Sequence, residues 1–247
     1  MDDLESSHTP AAIRERLRQG PRHSYLRDFV YGAVDGAVTT FAVVSGVKGA
    51  ELSSAVVIIL GTANLLGDGF SMAAGNFLAT KATLGLREKA WKTEAAHIEK
   101  IPEGEREEIR QIFAAKGFTG QTLESVVEVI TSNRDRWINT MLQEEMGMPL
   151  EGSSPWKAAL STFAAFVGFG LLPLLAYLGQ WLFPAWAFDP FIASAGITAA
   201  AFFALGALKG RYLEQTWYHG GFETLLVGGC AATLAFWVGL LLRNFAA

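Results

Sequence analysis

Hydrophobic and polar positions divide this chain into long apolar runs separated by one highly charged stretch. After a polar segment (residues 1–27), apolar runs cover 28–47 and 52–80, each close to or beyond the ~20 residues that a helix needs to cross a bilayer. Between them, Lys48-Gly49-Ala50-Glu51 reads as a tight turn. Residues 82–156 are charged and carry helical patterns over 84–100, 103–116, 122–131 and 134–146. Pro102 precedes the second of these, Gly117 ends it, and Asn133 is placed to cap the last. Three more apolar runs follow, at 156–179, 191–209 and 221–242. No alternation of period two occurs, so no strands are expected. The pattern predicts an all-α membrane protein with five transmembrane helices and a helical insert between spans two and three. Its divisions are residues 1–27, a first pair of spans (28–81), the insert (82–156) and three further spans (157–247).

Polar residues inside the first two runs stand out against this background. Asp28 begins the first run and Asp35 lies in its middle, two helical turns away and on the same face. Gly32 and Gly36 form a stripe that permits close helix contact. In the second run Asn64, Asp68, Met72 and Asn76 recur every four residues, which predicts one shared face. Gly67, Ser71 and Gly75 make a second stripe suited to helix packing. No proline interrupts the chain before Pro102, so the second helix is expected to extend past the bilayer. Pro173 is expected to kink the third span, and Gly206, Gly210, Gly228 and Gly229 to be packing positions.

Composition sharpens the class. Hydrophobic residues make up 51% and the mean hydropathy is +0.26, unusual for a soluble domain. The net charge of −4 gives no case for nucleic acid. The single cysteine, Cys230, excludes an intrachain disulfide and a Cys-rich metal site. Positive charge is asymmetric: of the 20 Lys and Arg, only Lys48 and Arg243 fall on one side of a five-span arrangement. The positive-inside rule therefore places the N-terminus and the insert in the cytoplasm. Arg14, Arg16, Arg18, Arg22 and Arg27 read as a solvated basic tail that sets orientation, although the spacing of Ile13 and Leu17 also allows a short amphipathic surface helix. No cleavable signal is evident. Trp181, Trp186, Trp217 and Trp237 are expected interfacial anchors in membrane lipid. His8, His23 and His219 read as solvated.

The candidate chemistry follows from these positions. Carboxylates inside a membrane are costly and are a functional hypothesis by default. Asp35 and Asp68, with Asn64 and the thioether of Met72, offer ligands better suited to Fe²⁺ or Mn²⁺ than to Mg²⁺, which prefers oxygen alone. Burial favours the neutral form of a carboxylate, so such groups can exchange protons for metal. Read singly, Met72 is a packing residue, and Asp68 and Asn64 can cap or bridge helices. In the insert, Glu94 with His97 and Glu105 with Glu108 are spaced three apart, and Met141 with Glu145 one turn apart. A Glu-x-x-His pair beside further carboxylates matches the ligand types of ferritin-like di-iron helices. In a glutamate-rich helix such spacings also arise by chance, and a solvated charged face stands beside the metal reading.

Three segments together carry a resemblance. They are Asp28-Phe29-Val30-Tyr31-Gly32-Ala33-Val34-Asp35-Gly36, then Gly67-Asp68-Gly69-Phe70-Ser71-Met72-Ala73-Ala74-Gly75, and a Glu-rich insert ending in Trp137 and Met141-Leu142-Gln143-Glu144-Glu145-Met146-Gly147. The chain from Asp28 onward resembles the vacuolar iron transporter (VIT) family. The resemblance implies a homodimer with five membrane helices per subunit, an ion path between the first two spans of each subunit, and a three-helix cytoplasmic metal-binding domain. It implies export of Fe²⁺, and often Mn²⁺, Co²⁺ or Zn²⁺, from the cytoplasm in exchange for protons. Asp35 and Met72 match the family's pathway aspartate and methionine, and Asp28 the acid nearer the cytoplasmic mouth. Glu94, Glu105, Glu108 and Glu145 match its ligand glutamates, and Met141 a methionine near that site. His97 stands where the family pattern has another glutamate, Leu142 where a second methionine is common, and Asn64 where some relatives carry an acid.

The expected function is therefore metal/proton antiport for iron and manganese homeostasis, with no prosthetic group and with divalent metal and protons as partners. The short N-terminal segment gives the expectation of a bacterial plasma membrane. Two other classes fit the same residues: a membrane-anchored di-iron ferroxidase using Glu94, His97, Glu105, Glu108 and Glu145, and a metal sensor or scaffold in which the aspartates only join helices.

Overall fold

The computed structural model describes residues 6–19, 24–149, 152–185, 187–212 and 214–245. Among them the regular structure is helical throughout, and no strand occurs. The helices are α1 (Pro10–Gln19), α2 (Leu26–Gly49), α3 (Ser54–Lys100), α4 (Pro102–Ala115), α5 (Gly120–Thr131), α6 (Arg134–Glu144), α7 (Pro155–Gly170), α8 (Leu172–Leu182), α9 (Pro190–Tyr212) and α10 (Trp217–Leu242). The sequence-expected anchor Trp186, with Arg22 and His23, lies outside the described residues. The chain packs as two units: residues 24–78 with 155–247, and residues 1–23 with 79–154.

In the first of these units α2 is the central element, packed against α7, α8, α9 and α10. Hydrocarbon tails are as apolar as leucine, so membrane helices associate through close packing and polar contacts rather than water exclusion. The sequence supplies the small residues this requires. A Cβ at Gly32 would strike the Thr162 carbonyl, and one at Gly36 the Phe166 carbonyl. Gly49 and Gly239 do the same for α2 against α10, and Gly206 and Gly220 for α9 against α10. Gly210 and Gly228 also pack closely, whereas Gly229 has nothing within 4 Å of its Cβ position.

α2, α9 and α10, with the apolar part of α3, are long and apolar enough to cross a membrane, and α7 with α8 makes a fifth candidate. In this span, expected over 156–179 with a kink at Pro173, the kink is a full break. The span divides at Leu171 into two helices bent by 49°. Pro173 lies in the first turn of α8 and cannot continue the hydrogen-bond ladder of α7. The buried Ser194 hydroxyl donates to the Pro173 carbonyl at 2.6 Å, tying α9 to the break.

α3 is one continuous helix from Ser54 to Lys100, extending past the apolar run as the absence of proline before Pro102 predicts. In its apolar part, Val57, Gly61, Leu65, Gly69 and Met72 face the bundle. Ile59, Leu60, Leu66, Phe70 and Leu78 face outward. The second small-residue stripe also faces outward: Gly67 and Gly75 have nothing within 4 Å of their Cβ positions.

The other unit holds two small apolar cores. Ile109, Val127, Ile130, Trp137 and Met141 form one; Ala95, Ile138 and Leu142 form the second. In water each fully buried large side chain contributes ~1.5–3 kcal/mol, which suits short amphipathic helices. Local signals set their limits. Pro102 opens α4, Gly117 follows α4 at φ +95°, and the Asn133 side chain accepts from the Arg136 N–H at 2.9 Å to cap α6.

Candidate metal centre and membrane polar positions

Glu94 and His97 lie one turn apart near the C-terminus of α3. The helix ends at Ile101, whose backbone leaves helical geometry (φ −137°, ψ 54°), and Pro102 restarts the chain as α4. Glu105 thus falls in the first turn of α4, where the helix dipole favours a carboxylate. The reversal brings it back onto Glu94 and His97. His97 Nδ1 is 3.3 Å from Glu105 Oε1 and 3.8 Å from Glu94 Oε1. One ligand atom from each of the three residues lies within 4.8 Å of the others. This is a compact set of two carboxylates and an imidazole, a donor set suited to a borderline divalent metal.

Both glutamate side chains are 3% exposed, while the His97 side chain is 47% exposed and opens the cluster to solvent. The Oε2 atoms of Glu94 and Glu105 are buried without a hydrogen-bond partner. Glu94 and Glu105 interact with each other, and two facing buried carboxylates are costly unless a proton or a cation lies between them. Burial, reinforced by the charges of Glu108 and Glu94 and opposed by His97, pushes the Glu105 carboxyl up to about 7. Glu145 is raised as well, by burial first and then by Glu108 and Glu94. Glu108 and Glu145 are therefore close enough to be felt by the cluster, and both are exposed. Met141 is placed differently from the other candidates. It is fully buried among Ile109, Val127, Ile130 and Trp137, and serves as core.

In the other unit, the expected single face of Asn64, Asp68, Met72 and Asn76 divides. Each four-residue step advances the helix by about 40° beyond a full turn, so twelve residues rotate the set by roughly 120°. Met72 packs on the bundle core and Asn76 is half-buried, whereas Asp68 is exposed on the outer side. The Asn64 amide donates to Asp68. The Asp35 and Asp68 carboxylates lie within electrostatic reach of one another across α2 and α3. Asp28, in the first turn of α2, accepts from Asn76 Nδ2 at 2.9 Å. The same nitrogen donates to Thr162 Oγ1 at 2.8 Å. Thr162 carried no signal in the sequence, because a threonine in an apolar span normally bonds its own helix. His219, expected in a loop, sits in the first turn of α10, with its Nδ1 2.6 Å from the Thr216 hydroxyl.

Comparison with known proteins identifies the family. The sequence model of the VIT family matches residues 26–240. A vacuolar iron transporter of Toxoplasma gondii is 33% identical over 226 residues, covering 89% of this chain and 74% of the relative. Vacuolar iron transporter 1 of Arabidopsis thaliana is 32% identical over 222 residues, covering 89% and 86%. A vacuolar iron transporter of Plasmodium berghei is 29% identical over 255 residues, covering 98% and 93%. With its long apolar helices and a family match across most of its length, the chain is a multi-pass membrane protein and belongs to the VIT family.

Proposed function

We propose that the protein is a secondary transporter that moves Fe²⁺, and also Mn²⁺, Co²⁺ or Zn²⁺, out of the cytoplasm in exchange for protons. The observation that carries this reading is the Glu94–His97–Glu105 cluster, with two buried carboxylate oxygens lacking partners, in a chain whose relatives are named iron transporters. The cluster collects metal on the cytoplasmic side. Asp28 receives it, and Asp35, Asp68 and Met72 carry it through the membrane, where protons compete for the carboxylates and release it.

Two features support the arrangement in the membrane. Lys48 pairs with Asp189 at 3.6 Å and Arg243 with Glu51 at 3.1 Å, so the two basic residues expected outside the cytoplasm lie at the same end of their unit. Asp68 is exposed on a helix side that also presents Leu66 and Phe70, and an ionised group facing lipid is too costly to persist. A homodimer that covers this side of α3 removes that cost and places Asp68 beside the ion path. The relatives' names favour transport over ferroxidase chemistry for the glutamate cluster.

The test is metal uptake by proteoliposomes under a proton gradient. Asp35→Ala is expected to abolish uptake; uptake indifferent to that change overturns the pathway.

A further inference from the structure

Asp28, Asn76 and Thr162 come from α2, α3 and α7, separated by 48 and 86 residues in sequence, yet meet at one nitrogen. An amide NH₂ has two hydrogens. The two shortest contacts of Asn76 Nδ2 are Asp28 Oδ1 at 2.9 Å and Thr162 Oγ1 at 2.8 Å, with the Ala158 carbonyl further off at 3.4 Å. The direction of these bonds is determined. The Thr162 hydroxyl gives its single hydrogen to the Ala158 carbonyl at 3.0 Å, so towards Asn76 it accepts. Reversing the amide would set its oxygen against the Asp28 carboxylate, which only accepts when ionised. The anchor is itself rigid. Thr162 is fully buried, and its backbone lies directly on Gly32, one turn beyond Asp28, where a side chain would not fit.

We propose that Asn76 is a positioning residue for metal transfer. It holds one oxygen of Asp28 at the α2–α3–α7 junction and leaves the other directed to the incoming cation. This rests on the transport reading above. Helix packing alone would need no carboxylate here, since α2 already meets α7 through Gly32 and Gly36, and Asn76 reaches α7 through the Thr162 hydroxyl. The acid makes sense as the group being aimed.

The experiment uses full-length protein in proteoliposomes, with Mn²⁺ as the probe and a fixed proton gradient, reading KM and the maximal rate separately. Hydrogen bonds to charged groups are worth about a factor of ten or more. Asn76→Leu is expected to raise KM about tenfold while changing the maximal rate less than about twofold. Asn76→Gln, which keeps the donor one methylene out of place, is expected to fall between wild type and Asn76→Leu, and it keeps the test open if the leucine variant folds poorly. Asp28→Asn also raises KM, and the double variant is expected to be no worse than Asp28→Asn alone, because both changes remove the same interaction. Additive effects, or a wild-type KM in both Asn76 variants while Asp28→Asn is impaired, overturn this role and leave the transport reading standing. Wild-type protein that takes up neither Mn²⁺ nor Fe²⁺ overturns both.

Discussion

Metal binding at the Glu94–His97–Glu105 cluster is expected to weaken steeply as the solution is acidified through neutrality, and Glu105 sets much of the slope. Its carboxyl is raised to about 7, first by burial and then by Glu108 and Glu94. A group with that pKa is roughly nine-tenths protonated one unit below it and roughly one-tenth protonated one unit above. A metal ion must displace the proton. Affinity should therefore be about tenfold weaker near pH 6 than near pH 8 from this group alone. Glu145 is raised in the same direction by burial, Glu108 and Glu94. The assay is calorimetric titration of chelator-stripped full-length protein in detergent, repeated in buffers of different ionisation enthalpy so that proton release is counted directly. Near pH 6 about one proton should leave Glu105 for each metal bound; near pH 8, almost none. Glu105→Gln is expected to lower affinity at every pH and to flatten the slope, leaving the part due to other groups. A wild-type affinity that is flat across this interval, or a slope unchanged in Glu105→Gln, refutes the assignment.

Without metal, the same group makes stability fall as pH rises. Its folded pKa lies above the usual 4.5, so its contribution is complete below about 4.5 and is lost as pH passes through about 7, a difference of order 3 kcal/mol; denaturant melts of stripped protein should show this, and Glu105→Gln should remove it. Gly36→Val places side-chain atoms on the Phe166 backbone, whose Cα is 2.8 Å from the Cβ position, and is expected to destabilise the α2–α7 contact by at least ~1–3 kcal/mol, seen as loss of folded protein in size-exclusion profiles. Gly67→Val, with open space around it inside the chain, should leave the fold intact and instead shift the monomer–dimer balance on crosslinking. Asn133→Ala removes the α6 cap and should cost about 1 kcal/mol in thermal melts of the insert helices.

Helix limits and close-packing glycines were legible because their causes are local. Pro102, Gly117 and Asn133 act through their own backbone and first-turn hydrogen bonds, and the Gly32–Gly36 stripe needs only helical periodicity. The inward side of α3 was not legible. In the apolar part of that helix both sides are hydrocarbon, so sequence offers no amphipathic contrast, and the four-residue repeat of Asn64, Asp68, Met72 and Asn76 winds around the axis.

By itself the sequence determined the class of the molecule, its run of apolar helices, the charged insert and the pairing of Glu94 with His97, since these depend on composition and on residues one turn apart. Only the tertiary structure decided that Glu105 closes onto that pair while Met141 goes to the apolar core. It alone brought Asp35 within reach of Asp68, and Asp28 onto Asn76 and Thr162. The reason is geometric. Spacing along one helix decides which residues share its surface, but which neighbour that surface meets depends on how distant segments pack.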